Sequence, residues 1–103
     1  MKAWVYILQC ADGSYYTGHT TNLELRLAQH QIGEGSDWTR RRLPVKLVFS
    51  QEMPDKDQAF LVERQIKNWS RAKKEALIAG DWNMLQWLAK KPKFRDNLVN
   101  TKD

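Results

Sequence analysis

A chain of 103 residues carrying a formal net charge of +5 can close one modest core without disulfides or a structural metal. Five Trp and 42% hydrophobic residues exclude a disordered polymer, although 28% of positions are charged. A lone Cys10 excludes an internal disulfide, Cys/His zinc spacing is missing, and no apolar run approaches the roughly 18 residues of a membrane span.

With no signal-peptide core at its start, the chain is expected in the reducing cytoplasm. Trp4-Val5-Tyr6-Ile7-Leu8 is a nearly continuous apolar run that predicts a buried strand, with Cys10 inside the core. Asp12-Gly13 is a turn signal, and Ser14 to Thr20 is again rich in aromatic and β-branched residues, so a hairpin is predicted. Gly18 in that second strand points to a bulge or a close backbone approach. Thr21-Asn22-Leu23-Glu24 matches a capping box with Thr21 as cap. The helix it opens runs to about Gln31, with Leu23, Leu25, Leu27, Ala28 and Ile32 as its apolar side.

Gly33 to Pro44 reads as a loop, followed by a third strand from Val45 to Ser50. Pro54-Asp55 opens a second helix whose buried stripe is Ala59, Val62, Ile66 and Trp69, with Glu63 beside it. That helix either runs on or breaks near Ser70, Gly80 is its stop, and a last short helix from Asp81 through Leu88 completes the reading. Residues 1–90 form the predicted domain and 91–103 a basic and polar tail.

Seventeen Lys and Arg against twelve Asp and Glu are unevenly distributed. Arg40-Arg41-Arg42 with Lys46 form one cluster, and Arg64, Lys67, Arg71, Lys73 and Lys74 another. Such clusters suit a polyanion, because neutralising phosphates releases counterions and gives affinity without sequence reading. The plain alternative is a solvated basic face.

The segments WVYILQCADGSYYTGHT, LELRLAQH, RRRLPVKLVF and AFLVERQIKNWSRAKKEAL resemble the GIY-YIG nuclease superfamily over about residues 3 to 80. The nearest likeness is to its small single-domain bacterial endonuclease-like branch, the UPF0213 type, related to the nuclease domain of structure-specific junction nucleases. That resemblance implies an α/β fold of the α+β type, a three-stranded antiparallel sheet flanked by helices, and one divalent ion, Mg²⁺ or Mn²⁺. It also implies hydrolysis of a nucleic-acid phosphodiester, with DNA the expected substrate and RNA left open. Tyr6 and Tyr16 match the tyrosines of the two triplets, Gly18 the fixed glycine, His19 the position after it, Arg26 and His30 the helix pair, and Glu63 the metal-binding glutamate.

Each match has a chemical task. A phenol is a poor base at its usual pKa of about 10, so Tyr16, the favoured base, or Tyr6 must hand its proton onward, with His19 or His30 as receiver. His30 itself is the competing base. Arg26 can brace the phosphorane in bidentate fashion, and Glu63 supplies one hard oxygen to the metal. Two departures from the family pattern stand out: Glu75 lies where an asparagine is usual, and Thr17 where isoleucine or valine is usual.

Taken singly, the tyrosines could be core aromatics, Arg26 and His30 a solvated i,i+4 pair, and Glu63 a neighbour neutralising Lys67. A second reading is a catalytically silent nucleic-acid-binding module of the same fold. There Trp38 stacks on bases while Arg40, Arg41, Arg42, Lys67, Arg71 and Lys74 follow the backbone. A third is a protein adaptor docking through Trp82, Trp87 and Phe94. With no recognition appendage, selectivity for structure or strandedness is expected over base reading. A monomer acting in repair, recombination or DNA uptake completes the expectation, and no membrane contact is anticipated.

Overall fold

β1 (Ala3–Gln9) and β2 (Tyr15–Thr20) form the expected hairpin, followed by α1 (Leu23–Gln31), the single turn α2 (Asp37–Arg40), β3 (Lys46–Met53), α3 (Lys56–Lys67) and α4 (Arg71–Ala79). These come from a computed structural model that describes residues 1–81. The sheet is antiparallel throughout in the order β2-β1-β3, which makes this the mixed α+β fold read from the sequence. The backbone falls into two compact units, Met1–Arg64 and a second beginning at Gln65.

The hairpin turn is held by its own chemistry. Gly13 takes φ +86°, and Asp12 Oδ1 accepts from the Ser14 amide at 3.0 Å and the Ser14 hydroxyl at 2.6 Å. Those two bonds, with Arg42 beyond them, pull the Asp12 carboxyl below its ordinary range. Register then pairs Tyr6 with Gly18 and Leu8 with Tyr16 on one face, while Ile7 pairs with Thr17 and Val5 with His19 on the other. On the first face Tyr6, Leu8, Cys10 and Val45 make a buried cluster against which Leu23 and Leu27 of α1 pack.

Several elements depart from the sequence reading. Asn22, not Thr21, caps α1: its side chain accepts from the Leu25 amide at 3.1 Å, while the Thr20 hydroxyl bonds the Asn22 backbone. The apolar side of α1 is narrower than expected, since Leu25 and Ile32 are 54% and 68% exposed and the fully buried side chain is His30. A histidine takes that place because it has polar partners there. The loop predicted over 33–44 contains α2, capped by Ser36, which accepts from the Thr39 amide.

β3 begins one residue later and ends three later than predicted, because it pairs along the whole of β1 from Gln9↔Lys46 to Ala3↔Met53. As an edge strand it exposes Ser50, Gln51 and Glu52, and that polarity concealed the end of the strand from periodicity. Ala59 and Ile66 of the predicted α3 stripe are buried, Val62 and Trp69 half-buried. The break falls where Ser70 caps α4, and Gly80 ends α4 in the left-handed conformation at φ +71°. The predicted helix after Asp81, the tail 91–103 and the trio Trp82, Trp87 and Phe94 lie outside the described residues.

Candidate active site

The site is built outward from Tyr6, which β1 buries to 2% exposure. Its ring lies under the edge strand β2 at Gly18, where a Cβ would stand 2.6 Å from the phenol oxygen and 2.7 Å from Cζ. Only a residue without a side chain leaves room there. The close approach predicted at Gly18 is therefore made by Tyr6. Tyr16 sits half-buried on the same face, its ring 6.5 Å from that of Tyr6.

His30 closes this group from α1. Its Nε2 lies 2.9 Å from Tyr6 Oη, and its Nδ1 lies 2.9 Å from Thr39 Oγ1 on α2. Thr39 is itself fully buried and sits 2.9 Å from Ser36 Oγ and 3.4 Å from the Ser36 carbonyl. A side chain at Gly35 would collide with the imidazole, so the loop from Gly35 to Thr39 is moulded to the ring. Tyr16 packs on it edge-on with centroids 5.3 Å apart.

Glu63 reaches the site from α3 at 7% exposure, and its Oε1 is in hydrogen-bond contact with His19 Nδ1. His19 in turn meets Phe60 edge-on at 5.6 Å between centroids. Four of the seven residues of the family pattern thus form two bonded pairs, Tyr6 with His30 on one sheet face and His19 with Glu63 on the other. Electrostatics joins them. Burial pushes the Tyr6 phenol well above its ordinary pKa, the charges of Tyr16 and Glu63 push it further, and Arg26 opposes them. Burial likewise holds His30 below its ordinary 6.5, with Arg26 adding to the shift.

Arg26 is half-buried on the turn of α1 before His30, and among the described residues its guanidinium has no hydrogen-bond or ion-pair partner. An anion arriving beside Tyr6 would therefore meet a cation not already neutralised. No group of three or more His, Cys, Asp or Glu side chains able to enclose a metal occurs among the described residues. Glu63 nevertheless offers one hard carboxylate, and Mg²⁺ is ordinarily held by one or two carboxylates, several waters and substrate phosphate. The donor set fits an ion shared with a substrate and does not fit a closed cage.

The basic residues named for nucleic acid are more occupied than their charge suggests. Arg40 donates to Asp37 at 2.9 Å, and Arg42 donates to Asp12 at 3.0 Å while lying 3.4 Å over the ring of Trp38. Trp38 is 44% exposed, Arg41 is exposed, and both line a shallow groove between the hairpin turn and α2. In the second unit Arg71 pairs with Glu75 at 3.1 Å, and Lys67 is exposed and Lys74 half-buried. Glu75, which stands where the family pattern has asparagine, is thus tied to its own helix. Sequence reasoning missed Gly35, Ser36 and Thr39, although Ser36 followed by the acidic Asp37 is a helix-start signal.

The three-stranded sheet thus carries a tyrosine from each hairpin strand, with an arginine and a histidine one turn apart on α1 and a glutamate from α3. Residues 2–76 match the GIY-YIG catalytic domain, and the chain belongs to that family. Within it the similarity is to UPF0213 proteins: one from Natronomonas pharaonis is 50% identical over 78 residues, 76% of this chain and 92% of the relative. Another, from Streptococcus pneumoniae, is 43% identical over 88 residues, covering 84% of this chain and 89% of the relative. Two solution structures share the fold. A UPF0213 protein from Bacillus halodurans gives a TM-score of 0.51 at 44% identity, covering 77% of this chain and 84% of that one. A protein from E. faecalis gives 0.54 at 34% identity, covering 78% and 85%.

Proposed function

We propose that the protein is a divalent-metal-dependent endonuclease that hydrolyses phosphodiester bonds in DNA and selects structure or strandedness over sequence. Membership of the GIY-YIG family supports nuclease chemistry on a nucleic acid. The single observation that carries the mechanism is the 2.9 Å contact between Tyr6 Oη and His30 Nε2.

A phenol whose pKa is raised does not act by resting as phenolate. It works as a shuttle: Tyr6 Oη takes a proton from the attacking water as its own proton passes to neutral His30 Nε2. The hydroxide so formed attacks phosphorus, and the bond to the leaving oxygen breaks in line. Because Tyr6 is so buried, the water must be delivered with the bound substrate. Arg26 donates to the non-bridging oxygens as charge grows on them. Glu63, oriented by His19, would hold Mg²⁺ or Mn²⁺, which supplies Lewis-acid stabilisation of charge at the phosphate when bound. Tyr16, which the family likeness favours as base, in this reading walls the ring of His30 and the approach of the water.

Trp38, Arg40, Arg41, Arg42, Lys67, Arg71 and Lys74 are the proposed contacts to the strand, and the unit that acts is a cytoplasmic monomer serving DNA repair or a related process. The exposed Trp38 stacked on Arg42 favours one second reading, a silent binding module in which that groove holds a base and nothing is cut. Cleavage of labelled single-stranded, duplex and branched DNA with Mg²⁺ or Mn²⁺ separates the two. Cutting that disappears in Arg26→Ala and Glu63→Ala establishes the nuclease, whereas salt-sensitive binding with no cutting establishes the module.

A further inference from the structure

Both ring nitrogens of His30 are engaged inside the protein, and the second partner belongs to no motif. Nδ1 meets Thr39 Oγ1 at 2.9 Å, and Thr39 and His30 are each 0% exposed. An imidazole in such a place cannot turn to water to choose its tautomer, so its neighbours choose it. Thr39 Oγ1 lies within reach of two acceptors on Ser36, the hydroxyl at 2.9 Å and the carbonyl at 3.4 Å. A threonine hydroxyl has one proton. Given to Ser36, it leaves the Thr39 oxygen as an acceptor, and His30 must then donate Nδ1–H to it. Nε2 is left bare and turned toward the Tyr6 hydroxyl, so each group in the chain donates once.

We propose that Thr39 is a positioning residue that holds His30 as the Nδ1–H tautomer, keeping Nε2 free to accept the Tyr6 proton. The inference rests on the nuclease reading for its consequence and on buried geometry alone for its substance. Gly35 belongs to the same device, since any side chain there would displace the ring from the Thr39 hydroxyl. Thr39 never touches substrate. Its effect on turnover passes entirely through the orientation and protonation of His30, as with the outer partners that fix histidine ligands elsewhere.

Long-range ¹H–¹⁵N spectra of the full-length protein labelled in histidine nitrogen test this directly, above the pH at which His30 protonates. The wild-type spectrum is expected to show a proton on Nδ1 and a bare Nε2. Thr39→Val, which keeps shape and removes the hydroxyl, is expected to lose that single-tautomer signature. Its kcat for DNA cleavage should fall about 10- to 100-fold with KM changed little. Thr39→Ser should restore both, and Thr39→Ala replaces the valine variant if the latter does not fold. A wild-type proton on Nε2, or an unaltered spectrum in the folded valine variant, overturns the role of Thr39 even if the enzyme cuts DNA. A wild type that shows the expected tautomer but cuts nothing upholds the tautomer and overturns the nuclease reading instead.

Discussion

Gly18 and Tyr6 are cross-strand partners, and the phenol lies so close over the glycine that a Cβ there would stand 2.6 Å from Oη. Gly18→Ala must therefore move either the ring or β2, and the ring is the part bonded to His30. Overpacking of this kind destabilises by about 1–3 kcal/mol. Urea denaturation should register that loss, and cleavage should fall further than the stability change accounts for. A variant with wild-type stability and rate would show that the contact is slack.

The two tyrosines should separate on mutation. Tyr6→Phe removes the proton shuttle and leaves the buried Nε2 of His30 without its partner, so activity should drop by about 100-fold or more. The orphaned nitrogen should also lower stability by about 1–3 kcal/mol. Tyr16→Phe keeps the ring that packs on His30 and should retain more activity. Single-turnover rates for the two variants decide the matter, and the reverse ranking would make Tyr16 the base.

Stability should carry the mark of His30 on the acid side. Burial, aided by Arg26, holds its folded pKa below the ordinary 6.5. The unfolded chain thus binds the proton first, and stability present above about pH 6.5 is lost as the pH falls from there through the folded pKa. Thermal melts between about pH 7 and 5.5 should show Tm falling, with a shallower fall in His30→Asn. Equal slopes in the two proteins would place the titration elsewhere.

Thr17 offers a stabilising change. It is 3% exposed, and its hydroxyl oxygen has no hydrogen-bond partner. Valine has the same shape without the oxygen. Thr17→Val should raise the free energy of unfolding by about 1 kcal/mol, read as a higher urea midpoint at unchanged slope. A lower midpoint would mean that the hydroxyl has found a partner.

Much of the site was legible because its residues sit in local patterns. The Asp12-Gly13 turn, the position of Gly18 and the four-residue step from Arg26 to His30 are written in adjacent positions. What escaped reading was polar. His30 lies on what periodicity takes for an apolar side, Gln51 and Glu52 continue an edge strand, and Ser36 to Thr39 form a helical turn inside an apparent loop. Periodicity ranks residues by apolarity, and each of these keeps its place through hydrogen bonds.

The sequence by itself determined the order of the strands and longer helices, the hairpin, the basic clusters and the family, because turn chemistry, β-forming runs and motif spacing act over short stretches of chain. Only the tertiary structure decided that His30 bonds Tyr6 across 24 residues, that His19 meets Glu63 across 44, and that Thr39 takes the other nitrogen of the imidazole. Those choices depend on strand register and on where α1, α2 and α3 carry their side chains against the sheet. Burial then turns them into shifted proton affinities, a property that no residue possesses before its neighbours arrive.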